Sequence, residues 1–127
     1  MARFDQQAHD GLVITLARRI HSTFGEKLLA LDYPGHAKPD TIRHPLSGEQ
    51  HRPDLVATHG FKTYMIEVET SSSINDAHTT SQWQAFSYWA RQGLGRGFIV
   101  AVPRGQGQAA LIRLAQLRIG NAKVIEV

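Results

Sequence analysis

Three carboxylates stand close together in a chain that is otherwise basic: Asp54, Glu67 and Glu69, within the stretch 52-RPDLVATHGFKTYMIEVETSSS-73. Glu67 and Glu69 are two positions apart, so in a strand their side chains leave from one face with Cβ atoms roughly 7 Å apart. Asp54 opens the preceding segment and comes within cross-strand reach of them if the two segments form a hairpin. Carboxylates gathered in this way repel one another and raise each other's pKa unless a cation sits between them. Such hard oxygen donors suit Mg²⁺ or Mn²⁺, ions bound through a few carboxylates plus a substrate phosphate. For an ExE pair taken alone, a solvent-facing acidic strip is the plainer alternative.

The elements that would position these groups follow from the hydrophobic pattern. Asp54–Thr58 and Lys62–Thr70 read as two strands around a tight turn at His59-Gly60. Alternation sends Tyr64, Ile66 and Val68 one way and Met65, Glu67 and Glu69 the other, and counting back from the turn places Asp54 close to Glu67. Upstream, Phe4, Ala8, Leu12, Leu16, Ile20 and Phe24 recur every four residues, which predicts a helix over 4–24. Glu26 to Leu31 would continue it as a last turn before the breakers of 32-DYPGHAKPD-40. Residues 41–51 hold a short edge strand ended by Pro45 and Ser47-Gly48. A second helix over 77–93 buries Trp83, Phe86 and Ala90 and stops at Gly93. The run 98-FIVAVP-103 is apolar on both sides, as a covered central strand would be, and a third helix (106–120) and a last strand (123–127) follow. The order α, β-meander, α, β, α, β makes an α/β fold, a mixed sheet with helices on its faces, in a single domain over 1–127.

Pro53-Asp54, then Glu67-Val68-Glu69 inside a strand, after a long first helix carrying Glu26 and before a second helix, resembles the PD-(D/E)xK nuclease superfamily. The resemblance implies a restriction-endonuclease-like αβββαβ core and metal-dependent hydrolysis of phosphodiester bonds in nucleic acid, DNA first. It implies Mg²⁺ or Mn²⁺ held by Asp54, Glu67, the carbonyl of Val68 and Glu26. One position departs from the pattern, because Glu69 stands where the family has a lysine that orients the attacking water and offsets phosphate charge. Glu69 then serves a second metal or acts as a base; the alternative is a chain that has lost cleavage and remains a DNA-binding or assembly module. Lys62 does not replace the lysine, since its offset of five from Glu67 turns it to the opposite face.

On the second helix, Gln84-Ala-Phe-Ser-Tyr88 reads QxxxY and resembles the motif that follows the catalytic strand in the RecB-like branch of that superfamily. The resemblance adds Gln84 to the catalytic set. The i, i+4 spacing puts Gln84 and Tyr88 on one helix face with Arg91 a turn further on, where amide, phenol and guanidinium could meet a phosphate backbone; the plain alternative is that they flank the core face of Trp83 and Phe86. Arg52 and Arg96 are further candidates for backbone contact.

Composition narrows the classes. No cysteine is present, which excludes disulfides, thiolate catalysis and cysteine-ligated zinc and fits a cytoplasmic setting. Net charge is +3, with ten arginines against four lysines, a lean toward phosphate contact. The N-terminal stretch has no apolar run long enough for a membrane span. The seven histidines show no HxxxH or HxH spacing and read mostly as surface residues, with His51 near enough to the motif strand to approach a phosphate. Neither GxSxG nor a phosphate loop is present, and Gly93 to Gly97 reads as a helix-to-strand connection. A chain this short would need a homodimer or a partner protein to cut both strands of a duplex.

Overall fold

The computed structural model describes residues 3–24 and 27–127. Helix α1 (Arg3–Phe24) precedes strand β1 (Lys27–Leu31). A short ribbon of β2 (Ile42–Arg43) against β3 (Gln50–His51) follows, then the hairpin of β4 (Leu55–His59) and β5 (Lys62–Val68). Thereafter helices and strands alternate: α2 (Ala77–Arg91), β6 (Arg96–Val102), α3 (Gly107–Gln116) and β7 (Ala122–Glu126). Five strands form one mixed sheet in the order β1-β4-β5-β6-β7. The β1, β4 and β5 pairings are antiparallel, whereas β5, β6 and β7 run parallel and therefore need the crossover helices α2 and α3. Among the described residues no helix is long and apolar enough to cross a membrane.

Two apolar layers hold the helices to the sheet. On one face Val13, Leu16 and Ile20 of α1 pack with Leu55, Ala57, Ile66, Val68, Ile99 and Ala101. On the other, Trp83, Phe86 and Ala90 of α2 and Ala110 and Leu114 of α3 pack with Met65, Phe98, Val100 and Val102. Strand β6 supplies both layers from alternate positions, which is why it is apolar without a break from Phe98 to Val102. Phe86 is fully buried and its ring lies 5.8 Å from that of Phe98. Phe86→Ala should cost about 3–5 kcal/mol through lost burial and the cavity left behind. Urea denaturation should show a lower midpoint at unchanged slope; a loss under about 1 kcal/mol would mean that this layer is not the core.

Four expectations shift. The four-residue stripe proposed for α1 drifts around the helix, because a turn is 3.6 residues; Val13, Leu16 and Ile20 are buried, Leu12 is half-buried and Ala8 is exposed. Residues 27–31 are not a last helical turn but the edge strand β1, whose pairing to β4 outweighs local helix propensity. Residues 41–51 form two short paired strands rather than one. The hairpin register pairs His59 with Lys62, so Gly60-Phe61 forms the turn, with Gly60 at a φ of 61°.

Candidate functional site

The hairpin register fixes the geometry of the carboxylates. Leu55 pairs with Ile66, so Asp54 enters one step beyond, level with Glu67; a turn at His59-Gly60 would have set it opposite Met65, and the shift of the turn to Gly60-Phe61 brings it to Glu67. Asp54 Oδ2 accepts a 2.7 Å hydrogen bond from the Val68 amide. In return the Asp54 backbone amide donates to the carboxyl of Glu67. All three acids are buried, with Asp54 8 %, Glu67 2 % and Glu69 5 % exposed, so the acidic strip is not a solvated face. They line a cleft of about 180 Å³ at the carboxyl end of β5, where the chain turns toward α2. In sheets with parallel strands this end is where ligands bind.

Helix α1 brings a residue that spacing did not single out. His9 Nε2 lies 3.2 Å from Asp54 Oδ1, and His9 Nδ1 lies 3.2 Å from Asp10 Oδ1. Burial disfavours its imidazolium, but the hydrogen bond and charge of Asp54, with help from Asp10 and Glu69, outweigh that and raise its pKa to about 9. His9 is thus the cation that balances Asp54. The signal was present in the sequence: His9 sits one helical turn ahead of Val13 on the buried stripe continued by Leu16 and Ile20. Asp32, Asp76 and His78 also line the cleft and were not anticipated.

The acids titrate as a coupled group. Burial pushes Glu67 well above the usual carboxylate range, and the neighbouring charges of Asp54 and Glu69 push it further. Burial also works against ionised Asp54, yet hydrogen bonds with Glu67, His9 and the Val68 amide, and the charge of His9, hold it below its ordinary value. One proton is therefore shared by this pair and resides on Glu67. Glu69 is raised to about 8 by burial and by the charge of Asp54, against hydrogen bonds from Ser73 and Thr79. Ser73 Oγ donates to Glu69 Oε1 at 3.0 Å and Thr79 Oγ1 at 3.4 Å. Glu67 Oε2 and Glu69 Oε2 are buried without a hydrogen-bond partner. Orphaned buried oxygens of this kind are costly unless a cation or a ligand donor completes them.

The remaining candidates scatter. Arg52 lines the same cleft, its guanidinium donating to the Pro39 carbonyl. Gln84, Tyr88 and Arg91 line a different cleft, of about 210 Å³, with His44 and Arg118; Gln84 is not among the residues lining the carboxylate cleft. His44 Nδ1 accepts from the amides of Leu46 and Ser47, so its Nε2 carries the proton and donates to Gln84 Oε1 at 3.0 Å. Arg96 lies at the far end of β6 from the carboxylates, since it pairs with Thr63 while Glu67 pairs with Val100. That is four residues, roughly 13 Å along the strand. Arg96 stacks on Trp89 at 4.8 Å and shares a cleft with Lys62, Arg91 and Lys123. Lys62 is remote from the acids because it starts β5, at the opposite end of the strand from Glu67. Glu26 lies outside the described residues. Of the six histidines whose burial is described, His36, His59 and His78 are exposed as expected, whereas His44 and His51 are buried and His9 is half-buried, drawn inward by hydrogen-bond partners.

No protein-family model, no curated protein and no solved structure matches this chain.

Proposed function

We propose that this chain is a metal-dependent nuclease of PD-(D/E)xK type, with the carboxylate cleft as its active site. One observation carries the reading: Asp54, Glu67 and Glu69 are buried together in a cleft, and Glu67 Oε2 and Glu69 Oε2 have no partner. The element order α1, β1, β4, β5, α2, β6 supports it, being the αβββαβ order that the resemblance implies, with the β2-β3 ribbon inserted.

Asp54 and Glu67 would hold Mg²⁺ or Mn²⁺, with the carbonyl of Val68, and His9 would join them after losing its proton, as metal binding requires of a histidine. An ion bound there would polarise a scissile phosphate and lower the pKa of the attacking water. The chain's own groups divide the remaining work. Asp54, fixed by the Val68 amide, is the permanent charge of the site. Glu69, held by Ser73 and Thr79 with a pKa of about 8, exchanges a proton near neutral pH and suits the role of base toward a water. Gln84, Tyr88, Arg91 and Arg118, around the neighbouring cleft, offer the amide, phenol and guanidinium donors that hold a nucleic-acid backbone.

The test is a panel of end-labelled single-stranded, duplex and branched DNA and RNA, incubated with Mg²⁺ or Mn²⁺. The parent chain should cut at least one substrate and Asp54→Asn should not. Equal cutting by Asp54→Asn would remove the assignment. Salt-sensitive DNA binding that survives Asp54→Asn, with no cutting by either protein, would favour the non-cleaving DNA-binding module, to which the position of Glu69 in place of a lysine points.

A further inference from the structure

A second group of metal-ligating side chains stands apart from the three acids, where no spacing motif marks it. Glu49 precedes β3, His51 ends β3 and His78 lies in the first turn of α2. One donor atom from each lies within 4.8 Å of the other two. Glu49 Oε1 is 3.7 Å from His51 Nε2 and 3.7 Å from His78 Nδ1. Two imidazole nitrogens and one carboxylate oxygen form a borderline donor set, suited to zinc and its first-row neighbours rather than to Mg²⁺. We infer that Glu49, His51 and His78 form a binding site for Zn²⁺ or a similar borderline dication, clamping the β2-β3 ribbon onto the start of α2.

The distances suit this reading. Donors around a tetrahedral zinc at its usual bond lengths of about 2.0–2.2 Å stand roughly 3.3 Å apart. The observed spacings therefore need a closure of a few tenths of an ångström to about 1.5 Å. That closure falls on solvent-exposed side chains with room to turn: those of Glu49 and His78 are 50 % and 64 % exposed, while that of His51 is 1 % exposed. An ion must displace the Ser81 hydroxyl, which lies 2.8 Å from His51 Nε2, and Glu49 Oε2 at 3.3 Å remains as an acceptor for it. The positive end of the α2 dipole opposes a cation here. The Glu49 carboxylate and the N-cap residue Asp76 oppose that effect. Three protein donors leave one tetrahedral position open to water or to a ligand oxygen. His78 also lines the carboxylate cleft, so the ion would sit at its rim. Among the described residues the three acids do not bring three donors within 4.8 Å of one another, whereas Glu49, His51 and His78 do.

The test titrates the chelator-treated full chain with Zn²⁺ by calorimetry, and with Co²⁺ by visible absorption, which reports a four- or five-coordinate nitrogen and oxygen site. The parent and Asp54→Asn should each take up one equivalent, with a Zn²⁺-dependent rise in Tm. His78→Ala and Glu49→Ala change exposed side chains, so both should fold and bind Zn²⁺ at least about 100-fold more weakly. Zn²⁺ uptake that His78→Ala and Glu49→Ala leave unchanged, or that Asp54→Asn abolishes, would overturn the site. So would the absence of any uptake by the parent. Zn²⁺ held through Glu49 and His78 in a chain that binds no Mn²⁺ and cuts no nucleic acid would support this site while removing the proposed nuclease.

Discussion

Glu67→Gln is expected to abolish metal-dependent cleavage and, in the same protein, to raise the stability of the metal-free chain at pH 7.5. The first effect follows from losing a charged donor in a water-poor site, where single groups contribute at least about 10²-fold to rate. The second follows from how Glu67 exists without metal. It is 2 % exposed, beside Asp54 and Glu69, and its pKa is pushed well up, so the folded chain must hold a proton that the unfolded chain releases above its ordinary pKa of 4.5. Glutamine resembles the protonated acid in shape and hydrogen bonding and carries no such cost. Thermal melts of parent and variant after chelation should therefore coincide near pH 4.5 and separate as pH rises, with the variant higher. Added Mn²⁺ should raise the Tm of the parent only. A variant that melts lower than the parent at pH 7.5 while still cutting would show Glu67 to be a structural acid and would end the metal reading of the cleft.

The second large effect is a metal-free stability that declines with pH through the neutral range. Glu67 and Glu69 have folded pKa values above their unfolded value of 4.5, with Glu69 at about 8. Their contribution is fully present below 4.5 and is lost as pH rises toward the folded values. His9 is raised from 6.5 to about 9, so its contribution is present below 6.5 and lost between 6.5 and about 9. Each group adds a slope of up to about 1.4 kcal/mol per pH unit within its window. Asp54, held below 3.8, acts in the other direction and loses its contribution only as pH falls into the acid range. His51, lowered from 6.5 by burial, weakens the fold as pH falls below 6.5 but is one group against two acids. Urea titrations after chelation should place maximum stability near pH 4.5 and show a steady fall to pH 9. Saturating Mg²⁺ or Mn²⁺ should flatten that fall, because an ion stabilises the ionised acids. A chelated protein whose stability rises from pH 5 to pH 8 would contradict the proton sharing described for the cleft.

Buried acids explain why both effects are large. A cluster of ionisable groups held off water at the ends of β4 and β5, beside α1 and the loop into α2, costs stability unless a ligand completes it. Active sites commonly carry this cost.

Much of this was legible in the sequence, for local reasons. The period-two alternation through Tyr64 to Val68, with a glycine turn before it, determined which residues share a face and brought Asp54 close to Glu67, while the register that sets them level came from the turn falling at Gly60-Phe61. The apolar run of β6 and the Trp83, Phe86 and Ala90 face of α2 likewise determined a sheet covered on both sides. Residues 27–31 read as helix because strand β1 exists only through its partner β4. His9 lies 45 positions before Asp54, and only the packing of α1 across the sheet brings them to 3.2 Å. His51 and His78 meet for the same reason, 27 positions apart and on a strand and a helix. Tertiary structure also separated Gln84 and Arg96 from the acids, because position along a helix or strand, and not sequence order, decides which cleft a side chain lines. The sequence by itself determined the carboxylates and the strands that carry them, since both depend on neighbouring residues. The folded chain alone decided their burial, their shared proton and their imidazolium partner, since each of these depends on groups that only long-range packing brings together.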